Sequence, residues 1–230
     1  MNEVHRQEKK YIVLLDEYYR YRGLFSNVLT ADPHNKEEGY CVRSLYFDSI
    51  DDRDYDEKVN GEELRRKLRI RIYHPTDQFA SLEMKQKEGV YQKKRSLRIT
   101  REDAILIAEG QYEPLLKYED KFAQECYGML NFYCYKPKSI VEYNREAFIV
   151  PANNTRITFD RNIRASESCF ELFSEQLNLY PVYDPFYVIL EVKYLDFLLS
   201  YVKDMIDACD KFEISVSKYI LGRLNHEVIY

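Results

Sequence analysis

In Lys67-Leu68-Arg69-Ile70-Arg71-Ile72 every second side chain is a cation and the residues between them are aliphatic. Leu82-Glu83-Met84-Lys85-Gln86-Lys87 repeats the design, and Glu8 with Lys10, Lys93 with Arg95, Arg156 with Thr158 and Glu191 with Lys193 extend it. A period of two belongs to a β-strand, so each polar set lies on one face of its strand and the apolar set on the other. Ten cations (Lys10, Arg69, Arg71, Lys85, Lys87, Lys93, Arg95, Arg145, Arg156 and Lys193) share such faces with three acids, Glu8, Glu83 and Glu191. An ordinary solvated sheet face mixes Thr, Ser, Gln and both signs of charge, because like charges opposite one another are destabilising. An excess of this size asks for a polyanion. Arginine meets phosphate oxygens with its planar fork and lysine meets them as a point charge. The few glutamates suit a divalent metal, a hard cation that prefers carboxylate and phosphate oxygens. A metal-bound oligophosphate is the ligand that answers all of these side chains at once.

The elements that carry them follow from the same alternation. Strands are expected over residues 6–15, 39–48, 65–74, 79–87, 91–99, 140–150, 155–161 and 187–194. Helical spacing covers 16–30, 101–109, 114–133, 195–209 and 215–224, with Thr100 and Asp103 close to a capping box at the start of the second. Eight strands with peripheral helices give an α+β protein whose antiparallel sheet is expected to close on itself. Closure would send the cations into a water-filled interior and the aliphatic residues outward under the helices, the reverse of a small barrel filled by side chains. Charges enclosed without partners cost several kcal/mol each, a penalty that a polyanionic guest removes.

Composition narrows the class. The 230 residues are 45% hydrophobic and 32% charged, with 7 Gly and 7 Pro, which fits a globular chain able to bury a core. No apolar run reaches the roughly 18 residues of a membrane helix, and the charged N-terminus lacks a signal peptide's apolar stretch. The five cysteines are scattered without a C-x-x-C pair, and His5, His34, His74 and His226 stand apart, which argues against a disulfide framework or structural zinc and for a cytoplasmic setting. Net charge is −5, yet residues 64–101 hold twelve basic side chains against Asp77, Glu83 and Glu88. The protein is therefore expected to bind no nucleic acid specifically, and to carry its basic character in one region.

These residues resemble the triphosphate tunnel metalloenzyme superfamily, and within it the VTC (vacuolar transporter chaperone) polyphosphate polymerase domain. The resemblance rests on an ordered set along the chain: Arg6-x-Glu8-x-Lys10-Tyr11, Ser44-Leu45-Tyr46-Phe47-Asp48, Lys67-x-Arg69-x-Arg71-x-Tyr73, Leu82-Glu83-x-Lys85 and Lys93-x-Arg95. Tyr143-Asn144-Arg145-x-Ala147-Phe148, Arg156-Ile157-Thr158-Phe159-Asp160, Leu190-Glu191-Val192-Lys193-Tyr194 and Ser217-Lys218-Tyr219 complete it. It implies a single domain over 1–230, an eight-stranded antiparallel β-barrel forming a tunnel, and a C-terminal helix covering it. It also implies transfer of the terminal phosphate of ATP to a growing inorganic polyphosphate chain with a divalent metal, Mn²⁺ or Mg²⁺. Carried over by position, Lys10, Arg69, Arg71, Glu191 and Lys218 would act in the reaction. Lys85, Lys93, Arg145, Arg156, Lys193 and Ser217 would hold phosphate, and Glu191 would hold the metal, with Glu8 as a lesser second.

One departure is informative. Triphosphate hydrolases and nucleotide cyclases of the superfamily typically open with E-x-E-x-K, and here the first position is Arg6. Losing that carboxylate thins the metal site and favours the polymerase branch. ATP and inorganic polyphosphate or triphosphate are the expected partners, and any membrane association would come through a partner protein. Two alternatives use the same residues. An inorganic triphosphatase or nucleotide phosphohydrolase would employ water as acceptor, and a non-catalytic polyanion-binding module would hold polyphosphate or stack RNA bases on some of the 22 tyrosines. Tyr11, Tyr73 and Tyr194 sit at core-facing positions, which favours packing over stacking.

Overall fold

The alternating segments form strands. The computed structural model describes residues 6–89, 91–215 and 217–223, with the side chain of Arg6 outside that set. In chain order it contains β1 (Arg6–Leu14), α1 (Leu15–Val28), β2 (Thr30–Ala31), β3 (Tyr40–Asp48), α2 (Arg53–Val59), β4 (Leu64–Ile72), β5 (Phe79–Glu88), β6 (Tyr91–Thr100) and α3 (Arg101–Ala108). It continues through α4 (Lys121–Phe132), β7 (Lys136–Val150), β8 (Thr155–Ser166), β9 (Tyr180–Pro181), β10 (Tyr187–Leu195), α5 (Ser200–Asp207), β11 (Phe212–Glu213) and α6 (Lys218–Arg223). All eight expected strands are present within a few residues of their expected bounds. Thr100 caps α3 as its sequence suggests, accepting a hydrogen bond from the Asp103 amide at 3.2 Å.

The chain divides into two compact units. The first comprises Met1–Cys41, Tyr143–Ile163 and Tyr183–Val216, and the second Val42–Glu142, Arg164–Val182 and Ser217–Tyr230. In the first unit the strands run in the order β11, β1, β10, β8 and then the second half of β7. One sheet face presents Tyr11, Val13, Ile157, Phe159, Val188, Leu190 and Val192 to Tyr18, Tyr21 and Phe25 of α1 and Val202 and Ile206 of α5. In the second unit the order is the first half of β7, then β3, β4, β5 and β6. Leu68, Ile70, Leu82, Met84 and Ile99 pack there with Ala104 and Ile107 of α3 and Phe122, Cys126, Met129 and Leu130 of α4. Helices α1 and α5 in the first unit and α3 and α4 in the second cover the aliphatic face, whereas α6 lies against Tyr46 and Asp48 on the polar side of β3. Strand pairing is antiparallel between β1 and β10, β10 and β8, β3 and β4, β4 and β5, and β5 and β6, which fits the α+β class. Among the described residues each unit holds an open sheet, so the closure expected from the sequence is not seen in either.

Other differences are local. The helix expected over 114–133 is a 3₁₀ turn at Glu113–Lys117 followed by α4, because Asp120 adopts an extended conformation and caps α4 through the Phe122 amide at 2.7 Å. The helix expected over 195–209 shortens to α5, and of that expected over 215–224 α6 is seen, with Val216 and Leu224 outside the described residues. Helix α2 and the two-residue strands β2, β9 and β11 carry too little periodicity to be read from sequence. Tyr11 and Tyr194 are buried as expected, but Tyr73 is 50% exposed, because it follows β4 in a turn where its amide and that of His74 donate to Asp77.

Helix α6 is held from three sides within the second unit. The Tyr219 hydroxyl donates to the buried Asp48 carboxylate, and Arg223 makes paired bonds to Asp52 at 2.8 and 3.0 Å and an ion pair with Glu167 at 2.6 Å. Gly222 lies so close to β7 that a Cβ there would meet Ser139 Oγ at 2.5 Å and Val141 Cγ2 at 2.7 Å. Among the described residues no helix is long and apolar enough to cross a membrane.

Candidate functional site

Register decides which cations share a face. In the second unit Lys67 lies opposite Lys85, Arg69 opposite Glu83 and Arg71 opposite Ser81, while Lys85 lies opposite Lys94, Glu83 opposite Ser96 and Ser81 opposite Arg98. The polar face of β4, β5 and β6 therefore presents Arg65, Lys67, Arg69, Arg71, Lys85, Lys87, Lys94 and Arg98. Glu83 is the one carboxylate on this face of the three strands. It accepts two bonds from Arg69 at 2.6 and 2.8 Å and one from Lys94 at 2.6 Å, with Arg71 at 3.7 Å. Burial would raise its pKa, but Arg69, Arg71 and Lys94 outweigh burial and hold it down at about 2. From β3, the buried Tyr46 hydroxyl accepts from Arg69 at 3.0 Å, and its ring stacks on Tyr219 with centroids 5.3 Å apart. Burial pushes the Tyr46 phenol up, yet Arg69, Arg71 and Lys218 bring it below its ordinary value. From the start of α6, Ser217 accepts a bond from Lys67 at 2.6 Å.

The structure thus gathers Arg69, Arg71, Lys85, Ser217 and Lys218 around one surface. Lys93 is not among them. The β5–β6 connection, which begins at Gly89 with φ 57°, sets Lys93 opposite Gln86 and Arg95 opposite Met84, on the helix-covered side. There Arg95 bonds Glu125 of α4 and Gln86, each at 2.6 Å. Lys94 occupies the place expected of Lys93. Exchange of Lys94 for Ala is therefore expected to weaken tripolyphosphate binding about tenfold, the worth of one charge-assisted contact. Lys93→Ala should change it less than twofold, and calorimetric titration of both variants checks the difference.

The first unit is arranged differently. Across β1 and β10 Glu8 faces Lys193 and Lys10 faces Glu191, and β8 sets Thr158 opposite Glu191 and Arg156 opposite Lys193. Lys10 pairs with Glu8 at 2.9 Å, and Lys193 pairs with Glu191 and lies 3.9 Å from Glu8. Burial draws the Lys193 ammonium below its ordinary pKa, against the upward pull of Glu191 and Glu8. Arg145 forms a bidentate pair with buried Asp160 at 2.6 and 2.7 Å, and Arg156 bonds Asp32 at 2.5 Å and the Tyr40 hydroxyl at 3.0 Å. Four cations here meet four carboxylates, which corrects the expectation of a uniform excess. Asp160 lies on the same face as Arg156, and Asp32 follows β2, so both supply charge that a tally of three acids omits. The surplus belongs to the second unit.

Two carboxylates, Glu8 and Glu191, converge on the Lys193 ammonium, and a divalent metal would have these to use. Among the described residues no group of three His, Cys, Asp or Glu side chains could hold a metal ion. Magnesium-like ions are commonly held by one or two carboxylates, with substrate phosphates and waters supplying the remaining oxygens. The donor set fits that kind of site and does not fit an all-protein cage.

A sequence model of the VTC domain matches residues 5–225. The chain belongs to the VTC domain family. No curated protein matches it. Among solved structures, a chain of the Mediator head module of Schizosaccharomyces pombe is similar in fold, with a TM-score of 0.52 at 10% identity over 91% of this chain and 99% of that one. The PH1819 protein of Pyrococcus horikoshii gives 0.47 at 14% identity over 94% and 97%. A "putative adenylate cyclase" of Bacillus halodurans gives 0.48 at 12% identity over 88% of each chain. In this VTC domain the match spans both units. Sequence reasoning missed four site residues: Lys94, because a run of three cations occupies both faces; Asp32 and Asp160, because their partners are set by tertiary register; and Tyr46, whose place beside Arg69 is set by the β3–β4 register.

Proposed function

We propose that this chain, working as a single domain, is a metal-dependent polyphosphate polymerase. It moves the terminal phosphate of ATP onto a growing inorganic polyphosphate chain. The observation that carries the reading is the face of β4, β5 and β6, where eight cations share one side with Glu83, together with membership of the VTC domain family. A terminal oxygen of the polymer attacks the γ-phosphorus of ATP, a new P–O–P bond forms, and the bond to the β-phosphate oxygen breaks with ADP leaving. Such a transfer needs in-line positioning and charge stabilisation more than a protein nucleophile. Arg69, Arg71 and Lys218 would stabilise charge on the transferring group, with Lys67, Lys85, Lys94 and Ser217 positioning phosphates. Within the first unit Lys10, Arg145, Arg156 and Lys193 would offer phosphate-binding cations of their own, the two arginines already fixed by their carboxylate partners. Glu191, with Glu8, would hold Mn²⁺ or Mg²⁺, which when bound neutralises phosphate oxygens. Chain ends are ionised near neutral pH, so no strong base is required. A cytoplasmic setting would supply ATP and suit the five free cysteines.

The test is incubation of the purified protein with ATP and Mn²⁺, with products resolved on a polyphosphate gel. A ladder of long chains with matching ADP is expected. Free phosphate without a ladder would replace the polymerase with a triphosphatase, and no turnover would replace it with a binding module.

A further inference from the structure

We infer that Phe79 and Arg98 form a stacking platform for the base of a nucleotide whose phosphates lie on the adjoining cations. This inference rests on the phosphate-binding role of the same face. Phe79 begins β5 on the polar side, one strand repeat beyond Ser81, which is flanked by Arg71 on β4 and Arg98 on β6. Phe79 is 46% exposed on a face otherwise given to charged and polar side chains. No core requirement places an aromatic residue there, since the core of this unit lies on the other side of the sheet. The Arg98 guanidinium lies over the Phe79 ring, its Cζ 3.6 Å from the centroid, a close contact of a delocalised cation with an aromatic face. Such a pair offers planar surface of the kind on which nucleic-acid bases stack, with little selectivity among bases because each has a π-face. Two residues along a strand cover roughly 7 Å. That is the order of separation between a nucleobase and its own first phosphate, so a base on Phe79 leaves its phosphates over Arg71, Arg69 and Lys85. Tyr73, half exposed and two residues past Arg71, stands at the same end of the face.

The platform would distinguish ATP from inorganic triphosphate, which bare cations cannot do. A stacked base contributes about 1–3 kcal/mol, so Phe79→Ala should weaken ATP binding by about 5- to 150-fold. Tripolyphosphate binding should change less than twofold. The chain contains no tryptophan, so Phe79→Trp puts the sole indole on the platform. ATP and GTP should both quench its emission, and saturating tripolyphosphate should leave it nearly unchanged. Arg98→Lys keeps the charge and removes the plane, and should also lose preference for ATP while binding tripolyphosphate normally. Equal ATP affinity in the wild type and both non-aromatic or non-planar variants would overturn the platform, as would equal weakening toward ATP and tripolyphosphate. A wild-type protein that binds neither ligand would overturn the phosphate reading itself, and the platform with it.

Discussion

Exchange of Glu191 for Gln is expected to abolish phosphoryl transfer while the domain stays folded. Glu191 is 5% exposed and lies on the polar face of β10, between Lys10 on one neighbouring strand and Thr158 on the other. Its carboxylate pairs with Lys193. Glutamine keeps the shape and removes the charge, so Lys193 would retain Glu8 alone as a compensating neighbour. The aliphatic face behind, with Leu190 and Val192 in the core, is untouched. A group that stabilises developing charge in a dry site contributes about 3–4 kcal/mol, and removing it slows turnover by roughly 10²–10³-fold. Loss of the carboxylate proposed to hold the metal should reach or exceed the upper end. Polymer yield from ATP at fixed Mn²⁺, alongside a thermal melt, checks both halves. Full activity in the variant would end the assignment of Glu191 to the metal.

Glu83→Gln should have the largest effect on stability. One carboxylate holds Arg69, Arg71 and Lys94 together, and its removal leaves three cations facing one another. The ordinary glutamate value of 4.5 is lowered to about 2 in the folded protein. At roughly 1.4 kcal/mol per unit that corresponds to about 3 kcal/mol. Because the folded value lies below the unfolded one, this stabilisation is complete above about pH 4.5 and disappears as pH falls through about 2. The variant should therefore unfold at markedly lower urea than the wild type at pH 7, with the two curves converging in acid. Tripolyphosphate should narrow the gap at pH 7 by supplying the missing negative charge. Identical midpoints at pH 7 without ligand would show that Glu83 is not the hub of this face.

Much of this was open to inspection in the sequence, and for a physical reason. Alternation along β4 and β5 fixes which side chains share a face of each strand, so Lys67, Arg69, Arg71, Glu83 and Lys85 could be grouped before any coordinates. Facing across strands needs register, which short connections set. Lys93-Lys94-Arg95 presents cations to both sides, and only the Gly89 connection decides that Lys94 joins Glu83 while Arg95 turns to α4. The same limit hid the pairing of Arg145 with Asp160 and of Arg156 with Asp32. Helix α2 carries only seven residues, five of them charged, too few for a period to emerge. The 3₁₀ turn before α4 escaped because apolar spacing runs through the break at Asp120.

The row of lysines across the second unit has a consequence for the protein's everyday state. Lys67, Lys85 and Lys94 stand directly opposite one another on three successive strands, a placement that costs energy whenever the sheet is bare. A ligand present at a hundred times its dissociation constant adds about 2.7 kcal/mol to the folded form. On the proposed phosphate-binding role, the bare sheet would be the rare form and the anion-loaded one the resting form wherever nucleotides and phosphates are abundant. Protein taken from such surroundings should carry phosphate compounds through gentle purification, and stripping them with salt should expose a weaker molecule.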